Sequence, residues 1–206
     1  MSNHSLTTQF TKLGHGLKRA VIAWVVFVLI GYGSMVFYSM APAKSAISAG
    51  AFPVQSSLAK GSGLTLITFL HPRCPCSRAT VSELEELLSQ SKFSTNLTIY
   101  AVVSQPRGCS ADFTQGAILD SLSSMPNVQL TIDKDDVESQ RFGARTSGQT
   151  LLFDSQGNCL FSGGVTAARG EVGANAGVDA LRQCIASGQT AVNKTPVFGC
   201  SLESNQ

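Results

Sequence analysis

Apolar positions along this chain fall into two regimes. Residues 20–43 carry no charge, and AVIAWVVFVLIGYGSMVFYSM is apolar on every side. A run of that length crosses a bilayer, which needs about 20 apolar residues. Beyond residue 62 the pattern becomes short apolar runs alternating with helical spacings. Residues 64–70 (LTLITFL) and 97–103 read as buried strands, and 128–132 as a third strand. A helix is predicted from about 77 to 89, with Val81, Leu84, Leu87 and Leu88 on one face and Glu83, Glu85 and Glu86 outward. Ser110 is placed to cap a second helix reaching about 122, with Phe113, Ala117 and Ile118 inward. Asp133 opens a short solvated helix that ends at Gly143. Residues 150–153 and 158–162 form a hairpin around Asp154-Ser155-Gln156-Gly157, and Val178, Leu181 and Ile185 mark a last helix. The order β-α-β-α-β-α-β-β-α implies parallel strands with right-handed crossovers and a closing antiparallel hairpin. The predicted class is α/β, a mixed sheet with helices on both faces, preceded by one transmembrane helix.

Charge sharpens this division. Lys12, Lys18, Arg19 and Lys44 face no acid in the first 44 residues, whereas the remainder is slightly acidic. With basic residues before the apolar run, the positive-inside rule puts residues 1–19 in the cytoplasm. Residues 20–43 then span the lipid bilayer, and the rest lies outside the cytoplasm, in the periplasm of a Gram-negative cell. A cleaved signal peptide is the competing reading, with Ala41-Pro42-Ala43 as an A-x-A site. Residues 44–62, small and rich in Gly and Ser, read as a linker. Residues 63–190 form the domain and 191–206 a tail, whose Thr195-Pro196-Val197-Phe198-Gly199-Cys200 suggests docking on the domain. The outer part has no basic patch, so no nucleic-acid partner is expected. Charged residues are only 14% of the 206, which also excludes a disordered charged tail.

The chemistry lies in the cysteines. All six, Cys74, Cys76, Cys109, Cys159, Cys184 and Cys200, follow the apolar run, in the compartment where disulfides persist. Cys74-Pro75-Cys76 sits between the first strand and the first long helix. A helix N-terminus stabilises a thiolate, and Arg73, Arg78 and His71 add positive charge nearby. Such a pair suits redox exchange. A static bond, inert buried thiols, or a Cu(I) or zinc site built from His71, Cys74 and Cys76 are the alternatives. Cys109, Cys159, Cys184 and Cys200 are candidate structural or resolving thiols, with Cys109–Cys200 as one possible pair. Cys74 is expected to be the more exposed of the motif pair and the nucleophile. No dinucleotide, P-loop, zincin or nucleophile-elbow motif appears, and no cofactor is expected.

These residues resemble the thioredoxin superfamily, and HPRCPCSRAT, FGARTSGQTLLFDSQGNCLFSGGVTAARG and TPVFGC are similar to the RedB-type group of its membrane-anchored redoxin branch. The resemblance covers about residues 62–200. It implies a thiol–disulfide oxidoreductase whose partners are protein thiols or disulfides. It also implies that Gly148, Gln149 and Thr150 line the substrate loop. The chain departs from the family in having one residue between its cysteines instead of two. Cys76 matches the second cysteine, and Arg73 stands where the first would be. The family's cis-proline is replaced by Gln149 before Thr150. Peroxidase activity is disfavoured, because His71 and Arg73 stand where a Thr or Ser would precede a peroxidatic cysteine. The copper site of related delivery proteins cannot be built, since only His4, His15 and His71 are present. A third reading keeps the fold as a non-catalytic scaffold.

Overall fold

The computed structural model describes residues 3–43, 50–90 and 96–202. The chain divides into two units, Met1–Met40 and Ala41–Gln206. The first is one helix, α1 (Asn3–Met40), whose stretch Gly16–Met40 is long and apolar enough to cross a membrane or to act as a signal sequence. It ends three residues short of the expected limit at 43. Pro42 explains this, because a proline disfavours helical geometry in the residue before it.

The second unit is built on five strands, β1 (Leu64–Leu70), β2 (Leu97–Gln105), β3 (Val128–Lys134), β4 (Gln149–Phe153) and β5 (Cys159–Gly163). Their order is β3-β2-β1-β4-β5. The first three are mutually parallel, while β4 runs antiparallel to β1, and β5 to β4. The expected mixed α/β sheet is therefore present, with β1 at its centre. Alternation along β1 divides the core. Leu66 packs with Leu84 and Leu87 of α2 (Pro75–Gln90) and Leu181 of α5 (Ala176–Ser187). Ile67 and Phe69 face the opposite way, onto Tyr100, Phe142 and Phe153. Leu70 meets Val81 and, from α3 (Ala117–Ser124), Ile118 and Leu122.

Three local expectations need correction. The helix expected from Ser110 is split into a 3-10 turn, Ala111–Thr114, and α3, because Gln115 is extended and Gly116 has φ 122°. Ala117 is consequently exposed. Glu83 is buried and its carboxylate accepts the Gly173 N–H, so only Glu85 and Glu86 remain on the outer face. Asp133 belongs to β3 and is buried. Its carboxylate accepts the Glu138 and Ser139 N–H groups, both at 2.8 Å, and thereby caps α4 (Val137–Arg141) from a distance.

The linker assignment changes as well. Residues 44–49 lie outside the described residues, but 50–62 are part of the domain. Phe52 packs edge-on against Phe142 and Phe153, with centroids at 5.2 and 5.3 Å, and Leu58 is buried. The Ser56 hydroxyl and the Ser57 N–H donate to Glu138, at 2.6 and 3.0 Å. Two apolar anchors among small residues hold this segment down.

Candidate functional site

The site forms where β1 gives way to α2. The strand ends at Leu70, His71–Arg73 turn the chain, and the helix begins at Pro75. Proline suits the first helical position, since its missing N–H would have no partner there and its φ is already helical. Cys74 thus occupies the cap position. Its N–H donates to the His71 carbonyl (3.2 Å), and its own carbonyl accepts the Arg78 N–H (3.4 Å). Cys76 lies within the first turn.

A second segment meets this turn. The loop Thr146-Ser147-Gly148 precedes β4, and no cis peptide bond occurs among the described residues. Gly148 has φ 88°, and its N–H donates to the Phe69 carbonyl (2.7 Å). The His71 N–H is shared between the Ser77 and Ser147 hydroxyls, at 3.0 and 3.1 Å, and those hydroxyls bond each other. The thiol turn is thereby tied to the loop. Gln149 and Thr150 are not part of that loop. They pair with Phe69 and Thr68 inside β4 and are fully buried, so they offer no surface to a partner.

The tail completes the site. The Cys200 Sγ lies 2.7 Å from the Cys74 Sγ. Cys200 therefore stands against Cys74 and not against Cys109, which occupies the turn after β2 with its N–H on the Pro106 carbonyl (3.1 Å). Cys74, expected to be exposed, is only 2% exposed and Cys76 6%, while Cys200 is on the surface.

Three thiols so arranged hold unequal protons. Cys74 is lowered to about 4, chiefly by hydrogen bonding from the Cys76 thiol; burial opposes this, and Cys200 and the Ser77 and Cys200 N–H groups assist. Cys76 is pushed far up by the same bond to Cys74, then by burial and by the charge on Cys74. Cys200 is pushed up to about 11 by burial, then by its bond to Cys74. The proton affinity is thus lowered at Cys74 and raised at the two thiols that bond it.

The flanking cations are placed differently from expectation. Arg73 stacks on the Phe113 ring, 4.9 Å from its centroid, and His71 meets the same ring edge-on at 5.4 Å. The His71 Nδ1 accepts the Arg73 N–H (3.2 Å), which turns it to local structure. The cation acting on Cys76 and Cys200 is Arg169, whose guanidinium also donates to the Gly199 carbonyl (2.6 Å). Neither Arg169 nor Ser147 is adjacent to the motif in sequence, and no local pattern marks them. Arg73 and Arg78 instead border an open cleft of about 360 Å³ that also includes Cys74, Pro75, Gly170 and Val172. Among the described residues no group of three or more His, Cys, Asp or Glu side chains is arranged to hold a metal ion. Cys159 and Cys184 lie away from the cluster, and burial raises both thiols, Cys159 to about 11.

A strand, a helix-capping cysteine and a facing loop on this mixed sheet make the domain thioredoxin-like. Similar solved structures include an uncharacterized conserved protein from Geobacillus kaustophilus, at TM-score 0.58 and 16% identity, covering 81% of this chain and 93% of that one. A hypothetical protein from Sinorhizobium meliloti 1021 has TM-score 0.56 and 16% identity, with 80% and 94% covered. A secreted Mycobacterium tuberculosis disulfide oxidoreductase homologous to E. coli DsbE has TM-score 0.43 and 16% identity, with 68% and 96% covered. At these identities the likeness is one of fold. No family model matches the chain, and no curated protein does.

Proposed function

We propose that this chain is a membrane-anchored thiol–disulfide oxidoreductase working outside the cytoplasm, with Cys74 of Cys-Pro-Cys as its exchanging sulfur. The observation that carries this reading is the placement of the Cys74 sulfur, at a helix N-terminus with the Cys200 sulfur 2.7 Å away. Its bonds to Cys76 and Cys200 lower its proton affinity. A thiolate both attacks a disulfide and leaves from one; a lower proton affinity speeds leaving and raises the thiolate fraction, while intrinsic nucleophilicity falls with it.

In exchange, the Cys74 thiolate attacks one sulfur of a partner disulfide, whose other sulfur leaves as a thiolate. A second thiol of this chain then attacks Cys74 and releases the partner's remaining sulfur. Cys76 is the nearest such thiol along the chain. Two electrons pass to the partner, and two thiols of the enzyme become a disulfide. The cleft between Arg73 and Arg78 offers a seat for the partner segment, and its charge favours acidic residues there. The N-terminal helix supplies the anchor, and the basic residues before it favour a cytoplasmic N-terminus.

Cys74→Ala tests the assignment. Exchange with a model protein disulfide is expected to disappear while the circular dichroism spectrum stays near that of the parent. Full activity in that variant contradicts the assignment.

A further inference from the structure

The Cys-Pro-Cys motif leaves Cys200 without a role, yet a whole segment is built around its placement. The Ser162 N–H donates to the Asn193 carbonyl (2.9 Å), and the Thr195 hydroxyl to the Gly164 carbonyl (2.8 Å). Val197, Phe198 and Leu202 are buried. The Ser147 N–H donates to the Cys200 carbonyl (2.8 Å) and the Leu202 N–H to the Arg145 carbonyl (2.9 Å). Those two bonds make a short antiparallel pair that fixes which way the Cys200 side chain points. Gly199 makes the approach possible, because a Cβ there would lie 1.9 Å from the Ser147 carbonyl oxygen.

The two sulfurs so presented differ in access. Cys74 is covered, and Cys200 is exposed. A bond between them needs about 2.05 Å, against a present separation of 2.7 Å. Cys76, by contrast, lies in the first turn of α2, where its thiol bonds to Cys74.

We propose that Cys74 and Cys200 form the working disulfide of this protein, with Cys200 as the sulfur that partners reach and Cys76 as the thiol that stabilises the departing Cys74 thiolate. This rests on the reading of Cys74 as an exchanging thiol; it puts Cys200 in place of Cys74 as the sulfur that meets the partner, and Cys74 in place of Cys76 as the resolving thiol. A thiolate of a partner dithiol attacks the Cys200 Sγ. The Cys74–Cys200 bond breaks, and Cys74 leaves as a thiolate that accepts the Cys76 S–H. The partner's second thiol, as its thiolate, then attacks the partner sulfur of the mixed disulfide. Cys200 leaves and takes up one proton. The partner dithiol has become a disulfide, two electrons have reached Cys74 and Cys200, and one proton is released to solvent. A partner disulfide drives the same steps in reverse. The low proton affinity of Cys74 makes it the better leaving group, so attack at the exposed sulfur is also the faster direction.

Peptide mapping of the full-length chain in detergent tests this. The sequence allows trypsin to release Cys74–Arg78 as one peptide and residues 195–206 as another. After oxidation by glutathione disulfide and alkylation of free thiols, these two peptides are expected to be linked, with Cys76 alkylated. Excess reduced glutathione is expected to open the link. Cys200→Ser is expected to slow exchange with a small dithiol by about tenfold or more, whereas Cys109→Ser leaves it unchanged. Melting curves accompany both variants, and the mapping of the parent chain stands whether or not the variants fold. An oxidised chain bonded between Cys74 and Cys76, with Cys200→Ser at the parent rate, overturns the proposal and leaves exchange at Cys74 standing. A Cys74–Cys200 link that reduced glutathione fails to open marks a staple and also overturns it. An oxidised chain with no bond at Cys74, and no exchange by the parent, overturns this proposal and the underlying function together.

Discussion

Around Cys74 the charge is set by neighbours that are themselves thiols, and this gives a defined pH response. Its folded value of about 4 lies below the ordinary thiol value of about 8.5. Between those limits the unfolded chain binds more protons at this site than the folded one, so its contribution to stability rises with pH and is complete above about 8.5. It is lost as pH falls toward 4. Cys200 works in the opposite sense: raised to about 11, it contributes below the ordinary value and is lost as pH rises toward 11. Thiolate ultraviolet absorbance of the reduced chain is therefore expected to show one thiolate already present at pH 6, absent in Cys74→Ala. A chain with no thiolate at pH 6 contradicts the arrangement. Cys-Pro-Cys was legible as a helix-start motif from its own three residues. Cys200, Ser147 and Arg169 were not legible as parts of one site, because each reaches it through packing of segments distant along the chain.

The tail and the segment before β1 carry the element-scale predictions. Gly199→Ala forces a Cβ against the Ser147 carbonyl, and the strap must move away. Overpacking of this kind costs about 1–3 kcal/mol. Denaturant melts are expected to show that loss, and oxidative linking of residue 74 to residue 200 should fall with it. Glu138 holds the segment at residues 56–57. Burial raises its carboxyl, but bonds from Ser56, Ser57 and Arg141 outweigh burial and leave it lowered. Its stabilising contribution is thus present above the ordinary value of about 4.3 and is lost as pH falls through its folded value. Glu138→Ala is expected to destabilise the domain by about 1–3 kcal/mol at neutral pH, read by denaturant melts, with a smaller difference in acid. A difference that grows in acid contradicts this. The strands of the sheet followed from their apolar runs, since β-branched and aromatic stretches of that length have few other solutions. Residues 50–62 were hidden by their small and polar composition. Only Phe52 and Leu58 anchor them, and two apolar residues make no periodicity. The broken helix after Ser110 depended on the backbone at Gln115 and Gly116, where the apolar spacing at Phe113, Ala117 and Ile118 suggested continuity.

Over the whole molecule, one apolar helix is joined to one thioredoxin-like domain that folds its own tail over its thiol site. The helix Gly16–Met40 is expected to keep the chain in the membrane fraction through alkaline extraction, and its release into the soluble fraction contradicts a retained anchor. The α/β class was readable because strand and helix periods alternate cleanly after residue 62, and that order leaves few sheet topologies. The covered thiol was not readable, because exposure at Cys74 depends on a tail more than a hundred residues away. The most direct test of the central claim is redox equilibration of the full-length chain in detergent across glutathione buffers, with free thiols alkylated and counted by mass. Reversible two-electron exchange at Cys74 predicts a single transition, between Cys74 free and Cys74 in a disulfide, within the range those buffers reach. A Cys74 that stays free or stays bonded throughout contradicts thiol–disulfide exchange as the work of this protein.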